Sequence, residues 1–136
     1  MNNAFMFSDA NTTVTEGVRV DVRTAWLRER SSPQFGHFVF AYKVRITNES
    51  SERVQLLRRK WLITDAVGQK REVSGDGVVG RQPVLHPGEF HEYISGCDFI
   101  TPVGQMKGYY YMQRSDGSEL RVEIPEFTMV VPHLLN

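Results

Sequence analysis

The stretch Phe38-Val39-Phe40-Ala41-Tyr42-Lys43-Val44-Arg45-Ile46-Thr47-Asn48 decides the fold class. Phe38, Phe40, Tyr42, Val44 and Ile46 alternate with Val39, Ala41, Lys43, Arg45 and Thr47, the two-residue period of a half-buried strand. Aromatic and β-branched side chains dominate it, as a pleated core strand prefers. Upstream, Val18, Val20, Val22, Thr24 and Trp26 share one face, against Arg19, Asp21 and Arg23 on the other. The loop between these strands holds Ser31, Ser32 and Pro33.

Downstream, Asn48-Glu49-Ser50-Ser51 turns the chain into a strand over 54–65, with Trp61 and Ile63 on one face of its second half. A short strand follows at 70–74. In His86-Pro87-Gly88-Glu89, Pro and Gly occupy the centre of a type II turn. The spacing predicts a strand over 90–95, an irregular segment over 96–104, and strands over 106–113 and 119–124. The last two flank Asp116-Gly117, a two-residue hairpin signal. Phe127, Met129 and Val131 alternate into a final strand. Short strands separated by turn signals, with no convincing helix, predict an all-β sandwich of roughly seven to eight strands. Without the Cys…Trp…Cys pattern, a fibronectin type III-like member of the immunoglobulin-like class fits better than a disulfide-bearing one. The expected organisation is a flexible polar leader over 1–13 and one domain over 14–136.

Composition narrows the function. Hydrophobic residues make up 40% and charged residues 24% of the 136 residues, as in ordinary globular domains. Lys and Arg number 16 and so do Asp and Glu, so formal net charge is zero and nucleic acid is a poor expectation as a partner. A single cysteine, Cys97, cannot form an internal disulfide, which suits a reducing cytoplasm. No apolar run has the length of a membrane span, so membrane insertion is not expected.

The chemistry-bearing residues are few. Gly75-x-Gly77-x-x-Gly80 has the spacing of a dinucleotide-binding loop, a pattern that requires a following helix. Pro83, Pro87 and Gly88 come at once and forbid one. Two readings stay open. The glycines serve tight turns, or their backbone N–H groups converge on an anion. Arg81, Lys70 and Arg71 flank the loop and would help the second. His37, His86, His91 and His133 lack the spacing of a metal site, so no metal or cofactor is expected. No nucleophile elbow occurs. The acidic neighbour Asp98 works against a Cys97 thiolate, and a buried structural cysteine is expected. In Arg58-Arg59-Lys60 the side chains split between two strand faces. Tyr109-Tyr110-Tyr111 must leave at least one tyrosine outside the core.

One longer string carries a resemblance. Gly77-Val78-Val79-Gly80-Arg81-Gln82-Pro83, Pro87-Gly88-Glu89-Phe90 and Tyr93-Ile94-Ser95-Gly96-Cys97 resemble the bacterial ApaG family. So do Tyr42-Lys43-Val44-Arg45-Ile46-Thr47-Asn48, Leu57-Arg58-Arg59-Lys60-Trp61 and Gly104-Gln105-Met106-Lys107-Gly108-Tyr109-Tyr110. The resemblance spans about 15–131. It implies a fibronectin-type sandwich, a cytoplasmic bacterial protein and an association with cobalt and magnesium resistance or efflux. It places a phosphate or nucleotide site on Gly75, Gly77 and Gly80, beside Arg81. A sandwich without a membrane span cannot itself carry an ion across a bilayer, so any effect on efflux is indirect. The expected function is a non-catalytic binding module acting through a protein partner, or through pyrophosphate or a nucleotide at the glycine loop. Exposed sheet edges leave room for a homodimer. The alternative is a metal-dependent nucleotide or pyrophosphate hydrolase, with Asp76, Glu89 and Asp98 as its carboxylates.

Overall fold

The computed structural model describes residues 7–132. The strands are β1 (Asn11–Thr15), β2 (Val18–Trp26), β3 (Phe38–Asn48), β4 (Val54–Asp65), β5 (Lys70–Asp76), β6 (Val84–Leu85), β7 (Phe90–Phe99), β8 (Val103–Arg114) and β9 (Glu119–Val130). Two single-turn 3-10 helices sit in the β2–β3 loop, and no α-helix occurs among the described residues. One sheet has the order β1-β2-β3-β7. The other has the order β5-β4-β8-β9, with β6 paired to β4. All the pairings are antiparallel, and the two sheets face each other across one apolar core.

This is the expected sandwich. It exceeds the expected strand count through β1 and β6, neither of which has a readable apolar alternation. β1 is the polar run NTTVT, which begins inside the expected leader and crosses its end at Thr13; residues 1–6 of that leader fall outside the described residues, as does His133. Asn11–Thr15 is ordered by pairing with β2, so sheet pairing begins at Asn11 and not after Thr13. The expected irregular segment over 96–104 is mostly strand, because β7 keeps its register with β3 through Phe99. The Asp116-Gly117 hairpin has a longer loop than expected. Gly117 N–H donates to Arg114 O (3.0 Å) and Arg114 N–H to Ser118 O (2.8 Å), a turn closed through a left-handed glycine.

Trp61 sits at the centre of the core, with ring centroids 5.5 Å from Tyr42, 5.9 Å from Phe127 and 6.4 Å from Tyr110. Two bulges set which side chains reach it. The β4–β8 register shifts between Leu56 and Arg58, and the β8–β9 register shifts between Met106 and Gly108. In β4 the buried set therefore passes from Val54 and Leu56 to Trp61 and Ile63. In β9 it passes from Leu120, Val122 and Ile124 to Phe127 and Met129, with Pro125 at the break.

The two sides of the sandwich differ. On one, β1 and β9 are stitched by side chains: Thr13 Oγ1 donates to Glu123 O (2.7 Å), and Glu123 N–H donates to Thr15 Oγ1 (3.1 Å). On the other, β5 and β7 end their sheets without pairing to each other. That open seam positions the candidate site.

Candidate functional site

β5 and β7 run antiparallel across the seam, so each end brings different residues together. At the start of β5, Arg71 donates to the Asp98 carbonyl and to Cys97 Sγ (3.3 Å), and pairs with the Asp98 carboxylate at 3.6 Å. Asp98 also meets His37 at 3.3 Å. At the other end the glycine loop leaves β5 and Arg81 comes close to His91. Partial burial, and then the Arg81 charge, hold the His91 pKa below its ordinary value.

The glycine loop is a tight hairpin. Val78 N–H donates to Arg81 O (2.8 Å) and Arg81 N–H donates to Val78 O (3.0 Å), with Val79 and Gly80 at the tip. Gly77 N–H donates to Leu57 O (2.9 Å). The amides of Gly77, Val78 and Arg81 are thus engaged within the chain. Those of Val79 and Gly80 have no acceptor among the described residues. Gly77 has a φ of 62°, and a Cβ there would stand 2.3 Å from Arg81 O, so only glycine fits. Val79 has a φ of 47°, a conformation that β-branched residues rarely adopt, and its side chain is 65% exposed.

The loop's carbonyls point the other way. Nη1 of Arg59 donates to the carbonyl oxygens of Asp76 (3.0 Å) and Gly77 (2.8 Å). Arg59 is half-buried and meets no carboxylate among the described residues, whereas Arg58 pairs with Glu119 (3.0 Å) and Lys60 with Glu72 (3.7 Å). The basic run does split between faces, and its middle member is the one turned inward. A signal for this stands in the sequence. Val54 and Leu56 have even numbers while Trp61 and Ile63 have odd ones, so one residue must be inserted between them. Arg59 shares the parity of Trp61.

Beside Arg59 the hydroxyls of Tyr93 and Tyr110 are hydrogen-bonded to each other. Burial raises the pKa of Tyr42, Tyr93 and Tyr110 above the usual phenol value, against the opposing effect of the Arg59 charge. Of the tyrosine triplet, only Tyr110 is fully buried. Tyr109 and Tyr111 lie on the outer face beneath the guanidinium groups of Arg121 (4.4 Å) and Arg58 (4.3 Å). Burial pushes the Cys97 thiol up, with Arg71 opposing, so Cys97 is no ready nucleophile.

The three carboxylates considered for hydrolysis are not assembled. Asp98 is tied to Arg71 and His37, Glu89 accepts His86 N–H (2.8 Å), and Asp76 sits at the far end of β5. Among the described residues, no three His, Cys, Asp or Glu side chains converge as a metal site would need. None of the described helices is long and apolar enough to cross a membrane.

The sequence model of the ApaG domain matches residues 28–114, which hold β3 to β8 and the whole glycine loop. The chain belongs to the ApaG family. It is 51% identical over 119 residues to Protein ApaG of Paramagnetospirillum magneticum, covering 88% of this chain and 92% of that one. It is 50% identical over 126 residues to Protein ApaG of Anaeromyxobacter dehalogenans, covering 93% and 99%. The crystal structure of an ApaA protein from Bordetella pertussis superposes with a TM-score of 0.82 at 42% identity, over 92% of this chain and 97% of that one. The ApaG match thus spans both sheets and the seam.

Proposed function

We propose that this ApaG-family chain is a non-catalytic binding module that presents the tip of its glycine loop to a protein partner. Val79 is the observation that carries the reading. Left-handed backbone costs an L-residue about 1–2 kcal/mol, and here it displays a valine side chain to solvent. Strain that gains no internal packing is characteristic of a contact surface. A cytoplasmic location and an indirect link to cobalt and magnesium resistance, through that partner, belong to the same proposal. Capture from cell extract by the wild-type chain and by Val79→Asp tests it. The partner should be lost from the variant while its circular dichroism is unchanged. Equal capture by both would remove the loop from the interface.

A second reading is favoured by the Val79 and Gly80 amides, which have no acceptor among the described residues, and by the neighbouring Arg81. Two adjacent N–H groups beside a guanidinium suit one phosphate of pyrophosphate or a nucleotide. Amide shifts at residues 75–81 during titration with pyrophosphate and diadenosine tetraphosphate test this reading. Silence there at about 1 mM ligand would sink it and leave the protein partner.

A further inference from the structure

Midway along the seam, between the glycine loop and the Arg71–Asp98 pair, the sheets part to leave a slot of about 270 Å³. That is about nine times the volume a water molecule occupies in the liquid. Its apolar lining comes from Trp61, Val73 and Met106, and its polar lining from Tyr42, Ser95 and Arg59. Arg71 and Asp98 close the lower end and largely neutralise each other. Arg59 has no such partner. Both hydrogens of its Nη1 are committed to the Asp76 and Gly77 carbonyls. The Nε–Nη2 edge makes no hydrogen bond among the described residues. A half-buried guanidinium beside a partly apolar slot, with no counter-charge and one hydrogen-bonding edge uncommitted, is a ready partner for an anion.

We propose that this slot binds a monocarboxylate bearing a small apolar group, with the carboxylate paired side-on to the Nε–Nη2 edge of Arg59. The chemistry follows from the charges and the shape. One uncompensated cation matches one negative charge, which favours a carboxylate over a phosphate dianion. The planar fork of the guanidinium accepts a carboxylate through two parallel hydrogen bonds. The Ser95 and Tyr42 hydroxyls supply polar neighbours, and Val73, with the buried Trp61 and Met106 forming the floor behind it, receives the apolar group. The volume holds about ten non-hydrogen atoms, the size of an aryl or branched-alkyl acid or of one C-terminal residue of another chain. The site is separate from the tip of the glycine loop and stands whatever that tip binds.

The full chain, isotopically labelled, is titrated with three probes followed by NMR. The first is phenylacetate, the second an acetylated tripeptide ending in leucine with a free carboxylate, and the third the same peptide as its C-terminal amide. One or both carboxylates should shift the Ser95 and Gly96 amides and the Trp61 indole N–H, with Kd of about 1 mM or tighter. The amide should not. Binding of the peptide acid alone marks a chain terminus as the ligand, and binding of phenylacetate marks a free acid. Arg59→Gln should weaken binding by roughly tenfold or more. If that variant does not fold, Val73→Trp decides, because Val73 is on the exposed edge strand and a larger side chain there fills the slot. Silence of both carboxylates at about 10 mM, equal binding of the amide, or undiminished binding by a folded Arg59→Gln or by Val73→Trp would overturn the proposal.

Discussion

The guanidinium of Arg59 occupies the space that a side chain on Gly75 would need. The two residues are direct cross-strand neighbours in the β4–β5 pairing. A Cβ built on Gly75 would stand 3.0 Å from both Nη1 and Nη2 of Arg59. The first glycine of the loop motif is thus a contact for an arginine that holds the loop's carbonyls. Gly75→Val should therefore lower stability by about 1 kcal/mol, although valine is the better strand former, because displacing Arg59 releases the Asp76 and Gly77 carbonyls. In an Arg59→Ala background the same substitution should be neutral or stabilising. Urea unfolding of the four chains in the double-mutant cycle reads this change of sign, and additive effects would refute it.

At the loop tip, Val79→Asn should raise stability by about 1 kcal/mol, since asparagine tolerates the left-handed backbone far better than a β-branched residue. Little burial is lost, because Val79 is already 65% exposed. Gly77→Ala should do the opposite and cost at least about 2 kcal/mol, because its Cβ would sit 2.3 Å from Arg81 O. Thermal melts of both variants check the pair of directions.

The Tyr93–Tyr110 hydroxyl pair ties the two sheets together beneath Arg59. Tyr93→Phe should cost about 1–3 kcal/mol by leaving the buried Tyr110 hydroxyl without its partner. The double change of Tyr93 and Tyr110 to Phe should cost less than the sum of the single changes, as unfolding curves of the three variants would show.

The same tyrosines set an alkaline limit. Burial raises the folded-state pKa values of Tyr42, Tyr93 and Tyr110 above the ordinary phenol value of about 10. Below that pH they are protonated in both states and their full contribution to stability is present. Above it the unfolded chain releases protons first, so stability falls by up to about 1.4 kcal/mol per pH unit for each group until its folded pKa is passed. Unfolding free energies measured from pH 9 upward should decline across about pH 10–12, and a flat profile would contradict the burial of these hydroxyls.

Tyrosines apart, Asn48 is the only buried polar residue among the described residues, and all its groups are used. Nδ2 donates to Glu52 O (2.8 Å) and Leu85 O (2.9 Å), while Oδ1 accepts from Ser50 N–H (3.0 Å) and Ser50 Oγ (2.6 Å). Asn48→Leu should cost about 2–4 kcal/mol, since it leaves these buried groups unpaired. A melting temperature within a few degrees of wild type would show that the hub is dispensable.

Alternation of side chains was enough to read most strands and the sandwich, because one face of each main strand is buried and the two-residue period records it. Even the two bulges were written in that record, as the parity change between Leu56 and Trp61 and between Ile124 and Phe127. β1 was illegible for the converse reason, and β6 because two residues are too few to show a period. Asn11–Thr15 is held by sheet pairing and by Thr13 and Thr15 bonding to β9, without a buried face of its own.

The sequence by itself determined the all-β class, the turns, the family and the three glycines. It could not say what the glycines were for, because a glycine states only that a side chain is unwelcome, and at Gly75 and Gly77 the obstacle stands across a strand pair or a turn. Tertiary structure supplied those obstacles: Arg59 against Gly75, and Arg81 against Gly77. It also decided that β5 and β7 leave an open seam while β1 and β9 close theirs. Which strands end their sheets, and which arginine turns inward without a carboxylate, depend on long-range pairing that no local pattern encodes.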